Sequence, residues 1–259
     1  MADPFAVVIP ARYASTRLPG KPLEPVGDAP MVVQVARRAE RAGAREVVVA
    51  TDDSRIRDAV TAAGLEARMT RPDHPSGSDR VMEVAEALGW SEDTVVVNVQ
   101  GDEPLIPPAV IGQVAALVAA DPGVPVATLC EPVDDLAEVL DPNVVKVVAA
   151  ADGTALYFSR APIPYARDAF TGMTERARGP LPEPAGWHRH IGIYAYRVAA
   201  LRRFVAAPVG ALERLESLEQ LRLLEMGVRI RVAVAEAPVP AGVDTPADLR
   251  RVRERLANG

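Results

Sequence analysis

A chain of 259 residues with 35 acidic and 29 basic side chains carries a formal charge of −6. It is long enough to bury a substantial core and too acidic for a non-specific grip on nucleic acid. Its single cysteine, Cys130, excludes an internal disulfide, no Cys/His spacing suggests zinc, and no apolar run approaches the roughly 18 residues of a membrane span. With no basic-then-apolar leader pattern, the composition predicts a soluble, cytoplasmic protein with neither membrane nor nucleic-acid partners.

The first predicted element is a strand at Ala6 to Ile9, which runs into a loop holding Arg12, Arg17, Gly20 and Lys21. Clustered cations beside a glycine and a proline outline a phosphate site, because polyphosphate needs both charge and close main-chain approach. A solvated basic turn is the bland alternative. The stretch has neither the GxGxxG of a dinucleotide fold nor the GxxxxGK[ST] of a P-loop, since Pro22 follows the lysine.

A predicted helix at Met31 to Arg41 and a strand at Val47 to Ala50 come next. A helix at Ser54 to Ala63, capped by Asp53 or Ser54, and a weaker strand at Leu65 to Met69 follow. Ser78 to Leu88 reads as a helix and Val95 to Val99 as a strand. Glycines at positions 43, 64 and 89 close the helices, and the strands are apolar on both faces, as in a parallel sheet covered on both sides. This rhythm predicts an α/β, Rossmann-like half-domain with a mostly parallel sheet.

Beyond it, Val124 to Cys130, Val144 to Val148, Leu156 to Ser159, Ile191 to Tyr196 and Val228 to Ala235 read as strands. Helices are expected at Asp134 to Leu140, at Ala211 to Glu225 with leucines at 212, 215, 218, 221 and 224, and from Pro246 onward. Ala161 to His190, punctuated by Pro and Gly, reads as a long loop or partly ordered excursion. Residues 1–259 are expected to form a single domain. Its first half would span 1–130, an elaboration 131–235, and a last loop and helix 236–259.

Ligands in open α/β sheets bind beyond the carboxyl ends of the strands. There the sequence places Arg12, Arg17 and Lys21, then Thr51, Asp52 and Asp53, then Gln100-Gly101-Asp102-Glu103-Pro104. Asp102 suits a hard cation such as magnesium or, equally in form, a turn capping the next helix. Asp244, in Gly242-Val243-Asp244-Thr245-Pro246, is a second candidate ligand or a helix start. Pro75 to Arg80 fits an N-cap box or a base-reading loop. Arg160 fits a bidentate carboxylate clamp or a surface arginine. His188 and His190 would share a face of a strand, suited to a metal, an anion or a polar substrate.

Taken together, IPARYASTRLPGKPL, ATDD, SGSDR, NVQGDEP, DPNVVKVV, ALYFSRAPIPY, HIGIYAYR, LERLESLEQLR and GVDTPADL resemble, in order, the 3-deoxy-manno-octulosonate cytidylyltransferases. The resemblance spans almost the whole chain. It implies the nucleotidyltransferase fold of that family, a homodimer, and a magnesium-dependent reaction serving lipopolysaccharide biosynthesis. In it the anomeric hydroxyl of 3-deoxy-D-manno-octulosonate (Kdo) attacks the α-phosphorus of CTP and pyrophosphate leaves.

The resemblance also implies roles. Arg12, Arg17 and Lys21 would hold the triphosphate, Ser76, Gly77, Ser78 and Arg80 the cytosine and ribose, and Asp102 and Asp244 the metal. Gln100, Arg160, His190, Tyr194, Glu219 and Gln220 would line the sugar-acid pocket, with catalysis resting on Lys21, Arg12, Asp102 and Asp244. The stretch from Phe170 to His188 departs from the family pattern and borders that pocket, so another small acid, amino-Kdo or a phosphonate, is the alternative acceptor. A catalytically silent nucleotide binder is disfavoured, because Asp102, Asp244 and Lys21 are all present.

Overall fold

The structure is a computed structural model and describes residues 5–14, 18–170, 181 and 186–257. The chain begins with β1 (Ala6–Ala11), a 3-10 turn (Lys21–Leu23), a short ribbon of β2 (Pro25–Val26) and β3 (Ala29–Pro30), and α1 (Met31–Glu40). It continues through β4 (Glu46–Thr51), α2 (Ser54–Ala62), β5 (Glu66–Met69), α3 (Gly77–Ala87), β6 (Val95–Asn98) and α4 (Pro108–Ala119). Then come β7 (Val126–Pro132), α5 (Leu136–Leu140), β8 (Lys146–Ala149), β9 (Ala155–Ser159), α6 (Arg167–Phe170) and β10 (His188–Arg197). The last elements are α7 (Val198–Ala206), α8 (Ala211–Glu216), α9 (Gln220–Glu225), β11 (Ile230–Val234) and α10 (Pro246–Ala257).

The main path of the sheet is β11-β7-β10-β6-β1-β4-β5, with β8 and β9 attached beside β10. Along that path only β10 runs against the rest, pairing antiparallel with both β6 and β7. Period-2 alternation then sorts each strand between two cores. Val7, Ile9, Val97 and Leu129 face α1, α2 and α4, whereas Val8, Val96, Val126 and Tyr196 face α3, α7 and α9. Both faces are buried, so the strands read as nearly continuous apolar runs.

The predicted βαβ rhythm is present, with element ends shifted by a residue or two. Three readings need correction. The leucines predicted on one helix at Ala211 to Glu225 recur every third residue and therefore drift around a 3.6-residue helix. The chain breaks instead at Ser217, φ 52 and ψ 47, separating α8 from α9 and leaving Leu215 82% exposed while Leu218 and Leu221 are buried. The expected excursion at 161–190 contains α6 and the start of β10. Phe170 and Trp187 also join Val133, Leu136 and Val139 in a small separate core. Two helices fall where none was expected: α4, apolar nearly all round, gives no amphipathic signature to read, and α7 is entered directly from β10.

The strands after Cys130 continue the same sheet, and β7 itself spans residue 130. From β1 the chain steps outward to β4 and β5, then returns to the other side of β1 as β6. The order therefore reverses between β1 and β6, and a crevice opens beyond their carboxyl ends.

Candidate active site

That crevice is a cleft of about 680 Å³, walled by Pro10 to Ala14, Pro19, Lys21, Pro22, His74 to Gly77, Arg80, Gln100 to Asp102 and Asp244. Close packing at the switch point makes it. A Cβ on Gly101 would come within 2.9 Å of the Pro10 carbonyl oxygen, and one on Gly77 within 3.2 Å of the Pro10 ring. Gly20, in the left-handed region at φ 73, lies against the Tyr13 ring and turns the chain so that Lys21 points inward.

Lys21 is the centre of the floor. Its Nζ donates to Asp102 Oδ2 at 2.6 Å, to the Val243 carbonyl at 2.9 Å and to Asp244 Oδ1 at 3.3 Å. One ammonium thus joins β1's loop, β6's loop and the entry to α10. The Asp244 segment is pinned further where Val243 N–H donates to the Asp102 carbonyl at 2.9 Å. Asp248, not Asp244, accepts from the N–H groups of Asp244 and Thr245 at the start of α10. The helix start is capped by Thr245, whose Oγ1 accepts from the Asp248 N–H at 3.2 Å while Asp248 reciprocates, and Asp244 faces Lys21.

The opposite wall is the amino end of α3. Ser76 caps it, its Oγ accepting from the Asp79 N–H at 3.4 Å, so the N-cap reading of this segment holds while Ser76 and Gly77 also border the cleft. Arg80 is 4% exposed and spends its guanidinium on Asp52 Oδ2 at 3.1 Å and on Thr70 Oγ1. The loop after β4 acts from behind. Asp52 holds Arg80, while Asp53 holds Arg55, whose guanidinium stacks 3.5 Å over the Tyr13 ring. Tyr13 and His74 line the cleft and were not singled out in the sequence. The signal for both is proximity, one inside the cationic loop and one just before the SGSDR turn. His74 is held by Glu83 of α3.

Arg12, Lys21, Ser76, Gly77, Arg80, Gln100, Asp102 and Asp244 therefore meet in one cleft. Ser78, His190, Tyr194, Glu219, Gln220 and Arg160 are not part of its lining, and Arg17 lies outside the described residues. Ser78 is buried beneath the cleft and donates from Oγ to Glu219 Oε1 at 2.9 Å, linking α3 to the break before α9. Burial holds the Glu219 carboxyl above the usual carboxylate range. His190 lies edge-on to Phe158 at 5.1 Å and packs on Tyr194 at 5.3 Å, with Nε2 3.0 Å from Thr128 Oγ1.

Burial pushes His190 down to about 3, so its ring is neutral at ordinary pH and is no cationic anion site; it can serve only by hydrogen bonding. The neighbouring Tyr194 hydroxyl is buried without a hydrogen-bond partner among the described residues. Gln220 is buried at the first turn of α9.

Arg160, read as a carboxylate clamp or a surface arginine, is held by its own fold. Its Nε donates to the Glu216 carbonyl at 2.7 Å, its Nη1 to Pro142 at 2.9 Å and its Nη2 to Ser217 at 3.5 Å, so the fork is engaged by main chain. Glu216 accepts in turn from Ser159 Oγ and from the Arg160 N–H. Most of the Phe170 to His188 stretch lies outside the described residues.

Residues 6–230 match the family model described as Cytidylyltransferase. A 3-deoxy-manno-octulosonate cytidylyltransferase of Xanthomonas euvesicatoria pv. vesicatoria (strain 85-10) is 55% identical over 98% of this chain and 96% of its own length. One of Xanthomonas oryzae pv. oryzae (strain KACC10331 / KXO85) is 54% identical over the same shares. A solved structure of CMP:2-keto-3-deoxy-manno-octonic acid synthetase complexed with CTP superposes with a TM-score of 0.87 at 45% identity, covering 98% of this chain and 99% of the other. A nucleotidyl transferase from Methanothermobacter thermautotroptrophicus, at 16% identity and a TM-score of 0.60, shares the fold.

Proposed function

The chain belongs to the cytidylyltransferase family, and on that premise we propose that it transfers a cytidylyl group from CTP to the anomeric hydroxyl of Kdo, giving CMP-Kdo and pyrophosphate. The observation that carries this reading is the single ammonium of Lys21 between the carboxylates of Asp102 and Asp244, at the floor of a cleft on the switch point.

Two carboxylates face the ammonium of Lys21 at that floor, and a triphosphate brings further negative charge that a divalent cation would offset. Among the described residues no group of three or more Asp, Glu, His or Cys gathers, so the protein offers two carboxylate oxygens and leaves the rest of a coordination sphere to phosphate and water. This donor set fits magnesium, which prefers oxygen and keeps several waters. Asp102 and Asp244 would hold Mg²⁺, which when bound would supply charge neutralisation at the phosphates and Lewis acidity toward a hydroxyl.

The remaining chemistry belongs to the chain. Arg12 and Lys21, with Arg17 by resemblance, hold the triphosphate and the departing pyrophosphate. Ser76, Gly77 and Arg80 hold the nucleoside, Arg80 kept rigid by Asp52, with Ser78 buried behind them. Gln100 sits between the nucleotide and the acceptor. The buried hydroxyl of Tyr194, without a partner among the described residues and next to neutral His190, supports an acceptor site there, since a sugar hydroxyl would satisfy it. Glu219 and Gln220 complete that wall. Arg160 captures the acceptor carboxylate only by exchanging main-chain carbonyls for it. Catalysis in this scheme is positioning plus electrostatic stabilisation, with no histidine base.

The chain acts as a homodimer in the cytoplasm, with residues 1–130 forming the nucleotide half, 131–235 carrying acceptor binding and the dimer contact, and 236–259 delivering Asp244. Exposed Leu156, Tyr165 and Leu215 in the second of these support the contact. Pyrophosphate release measured with each nucleoside triphosphate against Kdo, amino-Kdo and a small phosphonate tests the reaction. Turnover is expected with CTP and Kdo; turnover on a phosphonate but not on Kdo overturns the acceptor. Near-normal turnover of Asp102→Asn or Asp244→Asn in magnesium would remove the metal assignment.

A further inference from the structure

Asp244 reaches the cleft on a connector that has no strand to hold it. β11 runs parallel to β7 as far as Val234, and one more ladder bond follows, from the Ala235 N–H to the Cys130 carbonyl at 2.9 Å. Beyond that the sequence is Glu236-Ala237-Pro238-Val239-Pro240, and prolines on either side of Val239 remove the donors a ladder needs. Side chains replace it. Gln113 of α4 donates from Nε2 to the Val234 carbonyl at 2.7 Å and accepts at Oε1 from the Glu236 N–H at 3.0 Å. Farther along, Glu131 of β7 and Arg189 of β10, directly opposite each other in the antiparallel register, form an ion pair that closes on one residue. Glu131 Oε1 accepts from the Val239 N–H at 2.8 Å, and Arg189 Nη2 donates to the Val239 carbonyl at 2.9 Å.

Val239 is thus bonded through both its main-chain groups to a single charge pair, and its side chain is 5% exposed. The next fixed point is Val243, which is fully buried; its N–H is bonded to Asp102 and its carbonyl to Lys21. Only Pro240, Ala241 and Gly242 separate these anchors, so the place of Val239 bears on where Asp244 arrives. We propose that Glu131 and Arg189 are positioning residues for Asp244: their clamp on Val239 fixes the register of the connector that carries Asp244 to Lys21, opposite Asp102. This rests on the reading of Asp244 as a working residue of the reaction.

The test compares Glu131→Ala, Arg189→Ala, Glu131→Gln and Arg189→Lys in the full chain, with CTP, Kdo and magnesium. Amide hydrogen exchange across 239–243 is followed beside steady-state kinetics. The alanine variants are expected to exchange faster at Val239 and Val243 and to lose kcat by about 10- to 100-fold, the scale of a misplaced reacting group, with KM for CTP within about twofold of the parent. Glu131→Gln keeps an acceptor for the Val239 N–H and is expected to recover most of the activity. Where an alanine variant fails to fold, Glu131→Gln against Arg189→Lys gives the same comparison. Faster exchange with unchanged kcat, or unchanged exchange in the alanine variants, overturns the proposal. Near-normal turnover of Asp244→Asn instead removes the role of Asp244 on which it rests, whatever the exchange shows.

Discussion

At the level of single residues, the cleft is built from groups whose partners decide their chemistry. Lys21, Asp102 and Asp244 are legible in the sequence because each sits where a strand or connector hands over to a loop or helix, and their meeting needs only the α/β topology to be right. His190 and Arg160 are not legible in the same way. A histidine beside an arginine reads as positive, yet burial against Phe158, Tyr194 and Thr128 keeps it neutral, and those neighbours come from three different strands.

The sign of the resulting pH dependence follows. In the unfolded chain the imidazole titrates at its ordinary 6.5 and in the folded chain at about 3, so as pH falls between these values the unfolded state gains a proton first and stability is lost. The loss approaches about 1.4 kcal/mol per pH unit over that window. Urea titrations of the parent and of His190→Gln between pH 7 and pH 4 are expected to show a shallower acid limb in the variant. Gly101 offers a second check at this scale. Gly101→Ala drives a methyl against the Pro10 carbonyl and is expected to cost about 1–3 kcal/mol, read from the urea midpoint.

Among the elements, the break between α8 and α9 shows where periodicity misleads. Leucines at a spacing of three suggest a stripe, but the stripe rotates, and the chain gains more by stopping at Ser217 and restarting α9 with Glu219 against Ser78. Arg160 and Glu216 lock that break with main-chain bonds that no sequence pattern announces. A left-handed non-glycine residue costs about 1–2 kcal/mol, partly offset when glycine replaces it by glycine's greater unfolded entropy. Ser217→Gly is therefore expected to raise stability by about 0.5–1 kcal/mol. Ser217→Val, with a branched side chain at φ 52, is expected to lower it and to raise KM for Kdo as Glu219 shifts. Urea unfolding and acceptor kinetics on the two variants check both. The helix α4 escapes sequence reading for a different reason: it is specified by burial against the sheet and not by a polar face of its own.

For the molecule as a whole, the strand order was foreseeable only in outline. The βαβ rhythm predicts a parallel sheet and ligand-bearing loops at its carboxyl end, but nothing local says that β10 enters antiparallel between β6 and β7. That insertion joins the two predicted halves into one sheet, with Tyr194 opposite Asn98 of β6 and His190 opposite Cys130 of β7. Light scattering on the eluted protein is expected to give twice the 27.5 kDa of the chain; a species of 27.5 kDa alone would contradict the homodimer.

The contacts of Lys21 also have a consequence for the time course of folding. Its carboxylate partners lie 81 and 223 residues away along the chain. Loops of such length close late, after local helices and neighbouring strands have formed. Competence should therefore be the last property a refolding chain acquires. In a Trp187→Phe background, fluorescence of Trp90, bonded to Glu46 at the start of β4, is expected to recover before cytidylyl transfer does, with the lag reporting the docking of the Asp244 connector.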